Sequence, residues 1–149
     1  MAQFSLLPAA DTADLADDIR ELFDDLSRSL HRTHRAYSGE CQPALDVFET
    51  DAAIEVVVDV AGIPAGALRV LFRAGVLLVV GEKAPAPTAP DQTFHLVERA
   101  FGRFARAVRL AGAFDVERSR ATLRDGELLI VLPKIDDRRG RAHRIPIRP

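Results

Sequence analysis

Between residues 47 and 132 the chain breaks repeatedly into short runs rich in β-branched and aromatic residues, and this pattern restricts the fold more than any other feature. The runs are Val47–Glu49, Ile54–Val60, Leu68–Phe72, Val76–Val80, Phe94–Glu98, Phe104–Leu110 and Glu127–Leu132. Breaks such as Ala61-Gly62-Ile63-Pro64 and Ala74-Gly75 bound them. Short strands at this spacing predict an antiparallel sandwich or barrel. Asp125-Gly126, set between Ala121–Leu123 and Leu128–Leu132, predicts a tight hairpin, because such a turn needs positive φ and this pair tolerates it.

Ahead of the β-rich region the period changes. Leu15, Ile19, Leu22, Phe23, Leu26 and Leu30 recur at spacings of three and four, which predicts an amphipathic helix. Acids crowd its front half and bases follow its end, an order that suits the helix macrodipole. The apolar stripe has two readings: it packs on its own domain, or it stays open for partners. Tyr37–Pro43 has turn chemistry and ends this region.

Two further segments stand apart. Lys83–Gln92 carries prolines alternating with small residues, which favours an extended tether over a ladder strand. Asp136–Pro149 is mostly charged and ends in Arg144-Ile145-Pro146-Ile147-Arg148-Pro149, where two isoleucines have no local core to enter.

Searching for chemistry yields no constellation. His31 and His34 lie three apart on the helical pattern, but a metal site usually needs three or four ligands, and Cys41 lies beyond a Gly-containing turn. There is no GxSxG, HExxH or GxxxxGK[ST] motif. Neither catalysis, a metal nor a cofactor is expected. A formal net charge of −2 provides no basic footprint for nucleic acid. No run reaches the length of a membrane helix, and the acidic front of the amphipathic segment argues against anionic lipid surfaces. The opening residues lack a basic n-region, and one cysteine suits a reducing compartment, so a cytoplasmic location is expected.

The order of motifs narrows the field. Pro43–Glu49 opens the β-rich region, and Ile54–Val60 runs into Ala61-Gly62-Ile63. Leu68-Arg69-Val70 and Gly75–Lys83 follow, then Phe101–Leu110, Ala121–Leu128 and Leu132-Pro133-Lys134. This succession resembles the α-crystallin domain of bacterial and plant small heat-shock proteins. Ile145-Pro146-Ile147 is similar to that family's Ile-x-Ile/Val tail anchor. The chain departs from the pattern at Glu127, where an apolar residue is usual, at Val108, which replaces an aromatic, and at Ala111, which replaces a proline.

The resemblance implies an all-β fold, an immunoglobulin-like antiparallel sandwich over residues 43–135. An N-terminal helical region over 1–42 and a flexible C-terminal extension over 136–149 would flank it. It implies an ATP-independent holdase that self-assembles into dimers and larger oligomers and binds unfolding clients. Phe4, Leu15, Ile19, Leu22, Phe23 and Leu26 would supply client-binding surface. Ile145, Pro146 and Ile147 would dock in a groove with Val70, Phe72 and Leu123 on another subunit. Phe94, Leu96 and Val97 would pair with the strand near Val47 of a partner, Lys83–Thr93 spanning the gap. Arg106 shares a strand parity with Phe104 and Val108, so its charge belongs either at the sandwich rim or, as the resemblance favours, at the dimer interface. A rival from another class is a CS-type sandwich adaptor that binds a larger chaperone, for which neither the tail anchor nor the long loop is needed.

Overall fold

A computed structural model describes residues 9–30 and 41–135. One helix, α1 (Ala9–Leu30), precedes seven strands: β1 (Leu45–Glu49), β2 (Ala53–Asp59), β3 (Leu68–Arg73), β4 (Val76–Lys83), β5 (Gly102–Arg109), β6 (Arg120–Arg124) and β7 (Glu127–Pro133). The strands form two antiparallel sheets, one ordered β1-β2-β7-β6 and the other β3-β4-β5. The sandwich expected from the strand spacing is present.

Alternation along the strands builds the interior. Ile54, Val56 and Val58 on β2 stand opposite Leu132, Ile130 and Leu128 on β7, and all six are buried. The second sheet supplies Leu68, Leu77, Val79, Phe104 and Val108 from the same inward parity. Strand β4 differs: Leu77 through Gly81 are buried without a break, which marks a strand covered on both faces. Gly81 lies against the Phe104 ring, so an added Cβ would sit 2.5 Å from a ring carbon. No side chain fits there.

Two hairpins have two-residue loops with positive φ at both positions. Asp125 and Gly126 take φ of 51° and 81°, as the dipeptide predicts, and Ala74 and Gly75 take 50° and 77°. Both match the type I′ pattern favoured by twisted strands. Alanine tolerates this region poorly, so Ala74 is held there by the hairpin rather than by its own preference.

One segment is expected to find its strand partner in a second copy. Phe94–Glu98 forms no strand in the single chain, and Phe94, Leu96 and Val97 are 61%, 74% and 68% exposed. An extended segment needs a ladder partner for its backbone, and its own domain offers none at this position.

Candidate functional site

Helix α1 is the second cover of β4. By register, the outward face of the β3-β4-β5 sheet has Arg69, Val80 and Ala105 in one row, Leu71, Leu78 and Ala107 in the next, and Arg73, Val76 and Arg109 in the third. An apolar centre is thus flanked by arginines at Arg69, Arg73 and Arg109, and Arg103 completes the fourth corner. The stripe of α1 lies on this face. Leu26 is 1% exposed, and Leu15, Ile19, Leu22, Phe23 and Leu30 pack half-buried against the core. Of the two readings of the stripe, packing on its own domain describes this state, because Leu78 and Val80 provide an apolar seat that would otherwise face water. Phe4 lies outside the described residues.

Polar contacts ring the seat. Arg69 Nε donates to Asp25 Oδ2 at 2.7 Å and Arg69 Nη2 to Ser29 Oγ at 2.8 Å. Arg103 Nη2 donates to Ser27 Oγ at 2.9 Å, and its guanidinium lies 5.2 Å from the Phe23 ring centroid. Arg73 pairs with Asp18 at 3.1 Å. Sequence reading did not single out these arginines. Their signal was an outward strand parity beside an acidic helix, but spacing alone does not say which helix face meets which sheet face.

The front of the helix fits less closely than its end. A cavity of about 60 Å³ lies between Asp14, Leu15 and Asp18 on the helix and Leu71, Val76, Leu78 and Arg109 on the sheet. Its volume exceeds the space one water needs.

The edges of the sandwich hold the remaining candidates. Arg106 is half-buried, and its Nη1 donates to the carbonyl oxygen of Pro43 at 3.0 Å, tying β5 to the residues before β1. This is a rim contact within the chain. At the opposite side the edge strands are β3 and β6, where Val70, Phe72 and Leu123 share the inward parity and are half-buried. Phe72 also packs edge-on against Phe114, with ring centroids 5.6 Å apart. Ile145, Pro146 and Ile147 lie outside the described residues. So do His31, His34 and His143.

Among the described residues, no three His, Cys, Asp or Glu side chains converge as a metal site, and no helix is long and apolar enough to cross a membrane. Glu49 is held below its ordinary value by a hydrogen bond from Lys134 and by that residue's charge, with Nζ and Oε1 2.7 Å apart.

Comparisons with known proteins agree with this architecture. The profile described as Hsp20/alpha crystallin family matches residues 46–148. The 21.9 kDa heat shock protein of Oryza sativa is 39% identical over 106 residues, which cover 65% of this chain and 52% of that protein. Small heat shock protein C4 of Rickettsia felis is 24% identical over 87% of this chain and 79% of its own length. The chain therefore spans about half the length of the rice relative and more of the bacterial one. Among solved structures, heat shock protein 16.0 from Schizosaccharomyces pombe matches with a TM-score of 0.63 and 26% identity, over 73% of this chain and all of that one. A Xylella fastidiosa small heat-shock protein with a distinct high order structure matches with a TM-score of 0.57 and 27% identity, over 73% of this chain and 94% of that one. With more than half its length matched by the family profile and its sandwich shared with solved relatives, this chain belongs to the Hsp20/alpha crystallin family of small heat shock proteins.

Proposed function

We propose that this chain is an ATP-independent holdase of the cytoplasm that binds unfolding proteins and keeps them from aggregating. The observation that carries the reading is the stripe of α1, which lies on a sheet of its own chain and is ringed by partly exposed ion pairs. Exposed pairs of this kind contribute about 0–1 kcal/mol each. Such a helix lifts under mild stress while the sandwich persists, and Leu15, Ile19, Leu22, Phe23, Leu26 and Phe4 then become client-binding surface.

Assembly supplies the second half of the mechanism. Phe94, Leu96 and Val97 are exposed at the end of a proline-rich tether, and we read them as the strand that joins the β1 edge of a second copy, with Arg106 near the contact. Ile145, Pro146 and Ile147 would dock along Val70, Phe72 and Leu123 of a further copy. Each buried isoleucine contributes about 1.5–3 kcal/mol, less the cost of ordering the tail, so single anchors open readily while many together hold an oligomer.

The test is suppression of light scattering by the insulin B chain after reduction. Near-stoichiometric protein should suppress it with or without ATP, and deletion of residues 1–36 should weaken the suppression. Scattering unchanged by the full chain would overturn the holdase reading. A particle mass of one chain in solution would favour the adaptor class instead.

A further inference from the structure

The sheet face under α1 is chemically asymmetric. Its centre is Leu71, Val76, Leu78 and Val80, with the exposed Ala105 and Ala107 beside them, and its corners are Arg69, Arg73, Arg109 and Arg103, the last paired with Glu82 at 3.9 Å. The helix that occupies it meets this frame with carboxylates. Asp18 pairs with Arg73 and Asp25 with Arg69, one at each end of β3. Those two acids are seven residues apart, about 10 Å along a helix, and the two arginines are four apart, about 13 Å along a strand. Long side chains close the small difference. The match is therefore a repeatable pattern: an apolar helical stripe flanked by acids at positions i and i+7.

We propose that this face, once α1 lifts, is a docking surface for acidic amphipathic helical segments of destabilised proteins, with α1 as its resident internal ligand. The inference deepens the holdase reading and rests on it only in that α1 must leave the sheet. The two surfaces uncovered together are different in kind. The stripe of α1 carries acids beside its apolar residues, while the sheet face carries arginines beside its own. A segment with apolar residues and acids at this spacing satisfies Arg69 and Arg73, which α1 leaves behind, whereas a basic segment meets like charge at both. A cavity lies at the Asp14, Leu15 and Asp18 end, and opening should begin there.

The test uses the full chain and three labelled 22-residue peptides followed by fluorescence anisotropy. One is a designed amphipathic helix with aspartates at i and i+7 beside a leucine stripe; the second has lysines in their place; the third copies residues 9–30. Leu26→Glu places a charge in a dry seat and releases α1. This variant should bind the acidic peptide about tenfold more tightly than the lysine peptide, a difference of about 1.4 kcal/mol. Adding Arg69→Glu and Arg73→Glu should reverse the preference. Should Leu26→Glu fail to fold, the wild-type chain provides the same answer: the acidic peptide should speed amide exchange in α1, and the lysine peptide should not. Equal binding of the two designed peptides, or no reversal on changing the arginines, overturns the proposal. Binding of the residue 9–30 peptide with the designed acidic peptide inert overturns it in favour of helix exchange between copies. Insulin scattering measured in parallel keeps the results separable, since a chain can suppress aggregation without showing any peptide preference.

Discussion

Leu26 and Leu132 are each almost fully buried, yet they sit in parts of the molecule anchored in different ways. Leu132 lies in β7, which is laddered to β2 on one side and β6 on the other, and its side chain points into the space between two sheets. Removing it disturbs both. Leu26 lies on a single helix that touches one sheet face and is joined to the sandwich by side chains alone among the described residues. Its backbone hydrogen bonds are satisfied within the helix, so α1 can leave without orphaning any ladder. Equal burial therefore does not mean equal permanence. On the proposed function, the sandwich is the fixed body and α1 its detachable cover.

Leu132→Ala presses hardest on this contrast. It should cost about 2–5 kcal/mol and lower the denaturant midpoint of all the strands together, as read by circular dichroism. A loss confined to a few strands would mean that the sandwich does not unfold as one unit. Next is Gly81→Ala, where the new methyl meets the Phe104 ring and the Leu68 side chain. An overpacked core here should cost about 1–3 kcal/mol, visible in the same unfolding curves. The smallest effect belongs to the cover. Asp18→Asn with Asp25→Asn removes two ion pairs and should loosen α1 by about 1 kcal/mol while leaving the sandwich midpoint unchanged. Added salt should shrink the difference between this double variant and wild type, because one partner of each lost pair is about half exposed to solvent.

Local pattern made most of the sandwich legible in the sequence. Period-two alternation located β2 and β7, and Asp125-Gly126 located their neighbouring hairpin, because each signal acts within a few residues. The stripe of α1 was equally plain, but its seat was not. Arg69 and Arg73 alternate with Val70 and Phe72 in a way that suits any half-exposed strand, and nothing local links them to acids more than forty residues earlier. Phe94–Glu98 shows the converse limit. Its composition suits a strand, but a strand is a property of a pair, and within one chain the segment has no partner edge. Ala74 hid its hairpin role because alanine rarely takes positive φ; only the Gly75 beside it hinted at a turn.

The most direct measurement of the central claim is amide hydrogen exchange of the full chain, followed by mass spectrometry as temperature rises toward the sandwich transition. α1, over residues 9–30, should lose protection first, beginning near Asp14, while β2, β4 and β7 stay protected. Loss of protection in α1 and in those strands at one temperature, with one rate, would contradict it: the helix would then be a permanent part of the core and not a cover.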